Sequence, residues 1–210
     1  MRLDDVSSLD RIENPQLAMG LFHKQLNLGW QNMDVHKHSV DTPGSFAWTI
    51  SILGLKRLHG EKPDYQTMVQ LFNTVLQANV LVYWEIVTGK SLQQLAKDKP
   101  SASTLLEMAQ KIHTQFFCPG NLAEGDAADG QLRNIVFMNR DLMYFFELGQ
   151  AISSGDFGRI ELFLGTFTEC FAGGGRSNYV SECLHLIQHL KKIWTPEFAY
   201  VSFISLCMMF

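Results

Sequence analysis

Two long apolar segments separated by a single stop dominate this chain: QLRNIVFMNRDLMYFFELGQAISSGDFGRIELFLGTFTECFAGGG, from Gln131 to Gly175. From Leu132 to Ile152 the apolar residues cover more than one helical face, and Leu142, Met143, Tyr144, Phe145 and Phe146 run consecutively. A helix apolar on most sides belongs inside a bundle. The segment is too long for a strand and has no internal breaker. Ser153, Ser154 and Gly155 stop it, with Gly155 suited to a left-handed cap. Asp156 then fits the N-cap of a second helix carrying Ile160, Leu162, Phe163, Phe167 and Phe171, which Gly173, Gly174 and Gly175 end. So short a connection predicts an antiparallel αα-hairpin. Asp141, Glu147, Asp156, Arg159 and Glu161 lie within it. Burying such charges unpaired costs several kcal/mol, so Arg159 is expected to pair with one of the carboxylates.

The flanking sequence has the same character. Residues 1–14 are polar and expected to be poorly ordered, and Pro15 suits the first turn of a helix running through QLAMGLFHKQLNLGWQNM. Gly20 and Gly29 weaken that helix or admit a close neighbour. After a loop closed by Thr42, Pro43 and Gly44, a helix is expected from Ser45 to Leu58, burying Phe46, Ile50, Leu53 and Leu58. Asp64 caps a long helix ending at Gly89; its VLVYW run favours strand locally, but the flanking period is helical. Ser91 starts a short helix, and Ser103 or Thr104 caps the next, with Leu105, Met108, Ile112 and Phe116 as its stripe. Ser177 is expected to cap YVSECLHLIQHLKKIW, with Val180, Leu184, Ile187 and Leu190 inward. The expectation is an all-α fold: a single helical domain over residues 15–198, an irregular multi-helix bundle around the central hairpin, and an apolar tail at 199–210.

Composition narrows the function classes. The 210 residues are 46% hydrophobic and 18% charged, enough for a substantial core and outside the disordered range. The net charge of −4 excludes a broadly basic nucleic-acid-binding surface, though not a local patch. Cys118, Cys170, Cys183 and Cys207 form no CxxC pair and are expected to be reduced, buried thiols of an intracellular, cytoplasmic or nuclear protein. The polar, acidic start has no secretory signal, and no apolar run reaches the ~18 residues of a membrane span.

Four carboxylates, Asp141, Glu147, Asp156 and Glu161, are the candidates for catalysis, because paired acids bind magnesium for phosphoryl transfer or divide acid and base roles. The plainer reading is a cap plus an ion pair with Arg159. His185 and His189, at i and i+4 with Glu182 and Cys183 nearby, are candidate metal ligands, but Leu186 stands where HExxH needs its Glu. His36 and His38 share a loop and invite the same thought. Asp156, Phe157 and Gly158 spell DFG without any of the other kinase elements. FAGGGRSNY offers N–H groups and Arg176 to an anion, but lacks the P-loop Lys-Ser/Thr pair, which favours a helix-terminating turn.

Several motifs recur in an order that points to a family. They are FHKQLN at Phe22–Asn27, the pair Trp84 and Glu85, N-R-D at Asn139–Asp141, EL..AI..GDFGRIE at Glu147–Glu161, and F.GGG…NY at Phe171–Tyr179. Together, over Arg11 to Phe198, they closely resemble the domain of unknown function 6589 family. The resemblance implies a kinship with fungal and animal proteins that look derived from mobile elements, and brings no catalytic residues, since the family has no established activity. Longer members place a Gly-Asp-Gln-Leu block before the FH motif and continue past the position of Pro196 into further acidic residues. That arrangement suits a transposase-like protein with a magnesium-binding ribonuclease-H-type core. Both flanks are missing here, so the analogy implies a helical region without that core.

The leading expectation is therefore a non-enzymatic helical module that binds protein or nucleic acid, with no resident cofactor. Lys191, Lys192, Arg176, and with them His185 and His189, would form its anion-facing patch; Arg159 and His23 are the other candidate binding residues. The rival is magnesium-assisted phosphoryl transfer by the hairpin acids. A third reading is a truncated product without independent function, whose Phe203, Leu206, Met208, Met209 and Phe210 would be exposed.

Overall fold

The computed structural model describes residues 20–58, 60, 63–122, 125 and 129–207, with side chains as far as residue 202. The segment 1–14, the helix start at Pro15, and the exposure expected of Phe203, Leu206, Met208, Met209 and Phe210 lie outside what is described. The described residues are helices and turns, with no strand among them. The all-α expectation holds. In chain order the helices are α1 Leu21–Val35, α2 Phe46–Leu53, α3 Tyr65–Thr88, α4 Leu92–Asp98, α5 Ala102–Phe116, α6 Gly130–Ser154, α7 Phe157–Gly173, α8 Ser177–Gln188 and α9 Pro196–Cys207.

The chain divides into two compact units. One runs from Gln25 to Ala151; the other combines the residues up to Lys24 with Ile152–Phe210. The border falls inside α1 and again inside α6, so the two arms of the expected hairpin belong to different units. The turn between them is as the sequence predicts: Gly155 is left-handed at φ 65, and Asp156 caps α7 by accepting the Arg159 N–H at 3.0 Å.

Local chemistry explains most helix ends. Asp64 accepts the Thr67 N–H at 2.9 Å, and Gly89, at φ 66, closes α3. Ser91 and Gln94 form a reciprocal capping box on α4. Three boundaries differ from expectation. The helix expected over Ser45–Leu58 stops at Leu53 because Gly54 turns left-handed at φ 64 and its N–H returns to Ile50; Lys56–Leu58 is a separate 3-10 turn, and Leu53 is exposed. Ser101, extended after Pro100, takes the cap of α5 by accepting the Thr104 N–H at 3.2 Å, ahead of Ser103 and Thr104. Arg176, not Ser177, is the N-cap of α8 and makes no side-chain cap bond. On α8 Cys183 and Leu186 are buried, Val180 and Ile187 are half-buried as expected of inward residues, and Leu184, also expected inward, is 53% exposed.

In the Gln25–Ala151 unit, the Phe72 ring stacks on Phe46 at 5.1 Å and meets Phe145 edge-on at 5.3 Å. Gly29 of α1 faces this group: a Cβ there would stand 2.5 Å from Met68 Cε and 3.0 Å from Phe145 Cε2. Close approach is therefore what this glycine provides. A second cluster gathers Tyr83, Ile112 and Phe117, with Leu76, Val80, Phe116, Ile135 and Met143 against it. Tyr83 and Phe116 stack with centroids 4.0 Å apart. In the other unit α7 packs on α8, burying Ile160, Leu164, Phe167 and Phe171 at helical spacing.

Gly29→Val will lower stability by about 1–3 kcal/mol through overpacking. Gly165, within α7 with nothing near its missing Cβ, will gain about 0.5–1 kcal/mol as Ala from helix propensity. Urea denaturation of both variants checks the pair.

Candidate functional site

The N-R-D triplet is where α6 meets its neighbours. Asn139 is fully buried, yet every polar atom of its amide has a partner. Its Nδ2 donates to the Tyr83 hydroxyl at 2.7 Å and to the Phe116 carbonyl at 3.3 Å, while its Oδ1 accepts from Asn79 at 2.8 Å. Next along the chain, Arg140 lies over the Phe137 ring at 4.9 Å and holds Asp141 Oδ1 through Nε at 2.8 Å and a terminal nitrogen at 2.7 Å. Asp141 Oδ2 is bonded to His36 Nε2 at 2.9 Å, and the Asp141 carbonyl accepts from Asn32 at 3.2 Å. A His–Asp pair is a familiar proton-handling device. This one is closed in: the cavity lined by His36, His38, Ser45 and Asn134 holds about 20 Å³, room for about one water and none for a substrate. Ser45, a hydroxyl beside that pair, donates to the Ser39 carbonyl and caps α2. The geometry ties the end of α1 to α6.

Lys24 is the second buried polar residue of note. It is 1% exposed, and its Nζ has no hydrogen-bond partner among the described residues. Burial holds its pKa below the ordinary 10.5, against the pull of Cys183 and Glu182. Burial likewise pushes the Cys183 thiol up, so that it stays protonated and inert at neutral pH. Of the three cysteines whose side chains are described, all are free; Cys183 is buried as expected, whereas Cys118 and Cys170 are only half-buried.

A groove of about 490 Å³ opens between the first turn of α7, the segment after α8 and the start of α9, all in the Ile152–Phe210 unit. Its walls include Phe157, Glu161, Lys191, Lys192, Trp194 and Tyr200. After Gln188 the helix widens into a π-turn, His189–Ile193, which closes with the Trp194 N–H on the His189 carbonyl at 2.8 Å. Such widenings favour functional positions. Lys191 and Lys192 are exposed on this turn, and Tyr200 is 62% exposed opposite Phe157, its ring edge-on at 6.1 Å. The volume lies within the range of small-ligand sites.

The other residues singled out from sequence are more dispersed. Asp156 Oδ2 pairs with Arg159 at 3.3 Å, which meets the expectation for that arginine. Asp141 and Glu147 belong to one unit, and Asp156 and Glu161 to the other. Among the described residues no group of three or more His, Cys, Asp or Glu is placed to hold a metal ion. His185 and His189 do face each other, with ring centroids 3.9 Å apart, but the His189 Nδ1–H donates to the His185 carbonyl at 2.8 Å and its ring meets Trp194 edge-on. The His23 ring contacts Tyr179 at 6.2 Å, and Arg176 donates its backbone N–H to the Phe171 carbonyl at 2.9 Å. Among the described residues no helix is long and apolar enough to cross a membrane.

A model of a family of unknown function, DUF6589, matches residues 1–205. The chain belongs to the DUF6589 family. No curated protein and no solved structure matches it. In this DUF6589 chain the motifs that carried the resemblance have identifiable tasks. N-R-D supplies the buried amide and the Asp141 tie; GDFGR supplies the turn, the cap and its arginine; FHKQLN places Lys24, Gln25 and Asn27 inside. Sequence reasoning stopped at His23 and passed over Lys24. The signal was present, because Lys24 and Gln25 fall between Leu21 and Leu28 on one face of α1. Trp194 and Tyr200 were also passed over, since nothing local to the sequence brings them to Phe157.

Asn139→Leu will leave the Phe116 carbonyl and the Tyr83 hydroxyl without their donor and cost about 2–4 kcal/mol in urea denaturation. Lys24 gives a pH signature. Its folded pKa is lowered, so between that value and the ordinary 10.5 the unfolded chain holds the extra proton, and stability rises as pH increases through this window. Lys24→Met will raise the melting temperature at neutral pH and flatten that rise. A melting temperature that falls, with the pH dependence intact, would give Lys24 a partner.

Proposed function

We propose that this DUF6589 chain is a non-enzymatic helical module that binds nucleic acid through the groove formed by α7, the π-turn and α9. The observation that carries this reading is the placement of Lys191 and Lys192 on one wall of a groove whose other walls hold Phe157, Trp194 and Tyr200. Adjacent ammonium groups suit phosphate, and aromatic faces suit bases. With a net charge of −4, binding would be confined to such a patch. Arg176, His185 and His189 are not among the residues that line the groove, so this reading rests on the two lysines of the expected anion-facing patch. Descent from a transposase-like mobile-element protein fits this role, as does a reduced intracellular setting for the free thiols of Cys118, Cys170 and Cys183.

The rival, magnesium-assisted phosphoryl transfer, needs several carboxylates facing one open space. Asp141 is engaged by His36 and Arg140, and Asp156 by the α7 amide and Arg159, so no specific observation favours it.

Binding of a labelled oligonucleotide, followed by fluorescence anisotropy, tests the proposal. The wild-type chain will bind with a log K against log salt slope of about −1.4, two phosphate contacts at about −0.7 each. Lys191→Glu with Lys192→Glu will abolish binding while lowering the melting temperature by only a few degrees, because both lysines are exposed and what the fold loses is their modest interaction with the helix C-terminus. Undiminished binding in that variant would remove the groove from the account.

A further inference from the structure

Resting on the nucleic-acid reading above, we infer that the groove accepts an unpaired base, so that its ligand is a single strand. Three features of the groove point the same way. The lysines are neighbours, Lys191 and Lys192, on one π-turn, and span a single phosphate step and not the breadth of a duplex. The volume of about 490 Å³ is that of a cleft for one small planar group and its sugar, whereas a duplex needs an extended convex or grooved surface. The aromatic residues are arranged for insertion: Tyr200 projects into solvent, Phe157 stands edge-on to it at 6.1 Å, and Trp194 is braced by Phe198 at 5.3 Å and by His189 at 5.2 Å.

An acidic peptide is the competing ligand for two lysines. Glu161 lines the same groove and repels a carboxylate and a phosphate alike, so charge does not separate the two; a peptide of carboxylates, however, has no flat apolar face to set against Tyr200. A base has such a face, and it carries ring or exocyclic N–H groups that a carboxylate accepts. Gly158, next to Phe157, also lines the groove, and the space beside its Cα is open, with Asp156 Oδ1 at 3.8 Å the one atom of the described residues near the position of a Cβ. The ligand class that combines a phosphate, a planar apolar face and an N–H edge is a nucleotide within a single strand.

The full chain is titrated against labelled oligothymidylate and oligouridylate of about 10 nucleotides, a range one small single-strand site covers. An abasic strand of the same length and charge, and a duplex of the same length, are run beside them. The base-containing single strands will bind at least about tenfold more tightly than the abasic strand and the duplex. Tyr200→Ala will lower them to the abasic level, and Tyr200→Phe will restore them, with melting temperatures of both variants unchanged. Polyglutamate will fail to compete. Equal affinity for abasic and base-containing strands, or tighter binding of the duplex, overturns the base-insertion inference while leaving the nucleic-acid proposal in place. Effective competition by polyglutamate overturns it in favour of an acidic peptide. Absence of binding to every strand removes the proposed function itself, and this inference with it.

Discussion

The buried amide of Asn139 is the constraint on which the larger unit depends. A polar side chain with no solvent contact is tolerable only when each of its groups has a partner, and here one amide bridges α3, the end of α5 and α6. The apolar stacking around it, Tyr83 on Phe116 and Phe117, is permissive about register; hydrogen bonds at 2.7 and 2.8 Å are not. Shifting α6 by one residue would put Met138 or Arg140 at that point and leave the Phe116 carbonyl unmet. The adjoining bonds of Asp141 to His36 and Asn32 fix the same helix against the end of α1, and Arg140 holds the other carboxylate oxygen from within α6. The conspicuous N-R-D triplet is therefore a fastening, and its charged members are occupied by one another.

The smaller unit solves a different problem. Lys24 is an ammonium-bearing side chain enclosed beside Cys183 without a hydrogen bond to its nitrogen, an arrangement that weakens the folded state and depresses the lysine's own pKa. On the same unit two exposed lysines, Lys191 and Lys192, line a groove together with aromatic rings. One lysine is withdrawn from solution and two are presented to it. This contrast, more than total charge, is what makes a local anion site reasonable on an acidic protein.

Much of this architecture was legible in the residues. Gly155 and Asp156, Asp64 with Gly89, and Ser91 with Gln94 announce their turns and caps because the relevant chemistry lies within a few positions. Gly54 was equally local and was overruled by the apolar period around it, which joined α2 to a separate 3-10 turn. Ser101 and Arg176 show the limit at starts: several residues compete for a cap, and backbone direction decides. The pairing of Arg159 followed from the cost of isolated charge. The site was less accessible. Lys191 and Lys192 stood out as a basic pair, but Phe157, Trp194 and Tyr200 are separated in sequence and converge only through the packing of helices. Similarly, four carboxylates close in sequence suggest a cluster, whereas the fold assigns them in pairs to two units and gives Asp141 and Asp156 other partners.

The groove of α7, the π-turn and α9 is proposed as the place where this protein meets nucleic acid. Photo-cross-linking with a single-stranded oligonucleotide carrying a thio-substituted base, followed by mass spectrometry of the peptides, tests it most directly. Adducts are expected on Trp194 and Tyr200, suppressed when both lysines are replaced by glutamate. Adducts concentrated instead on α5, or unchanged by loss of Lys191 and Lys192, would contradict it.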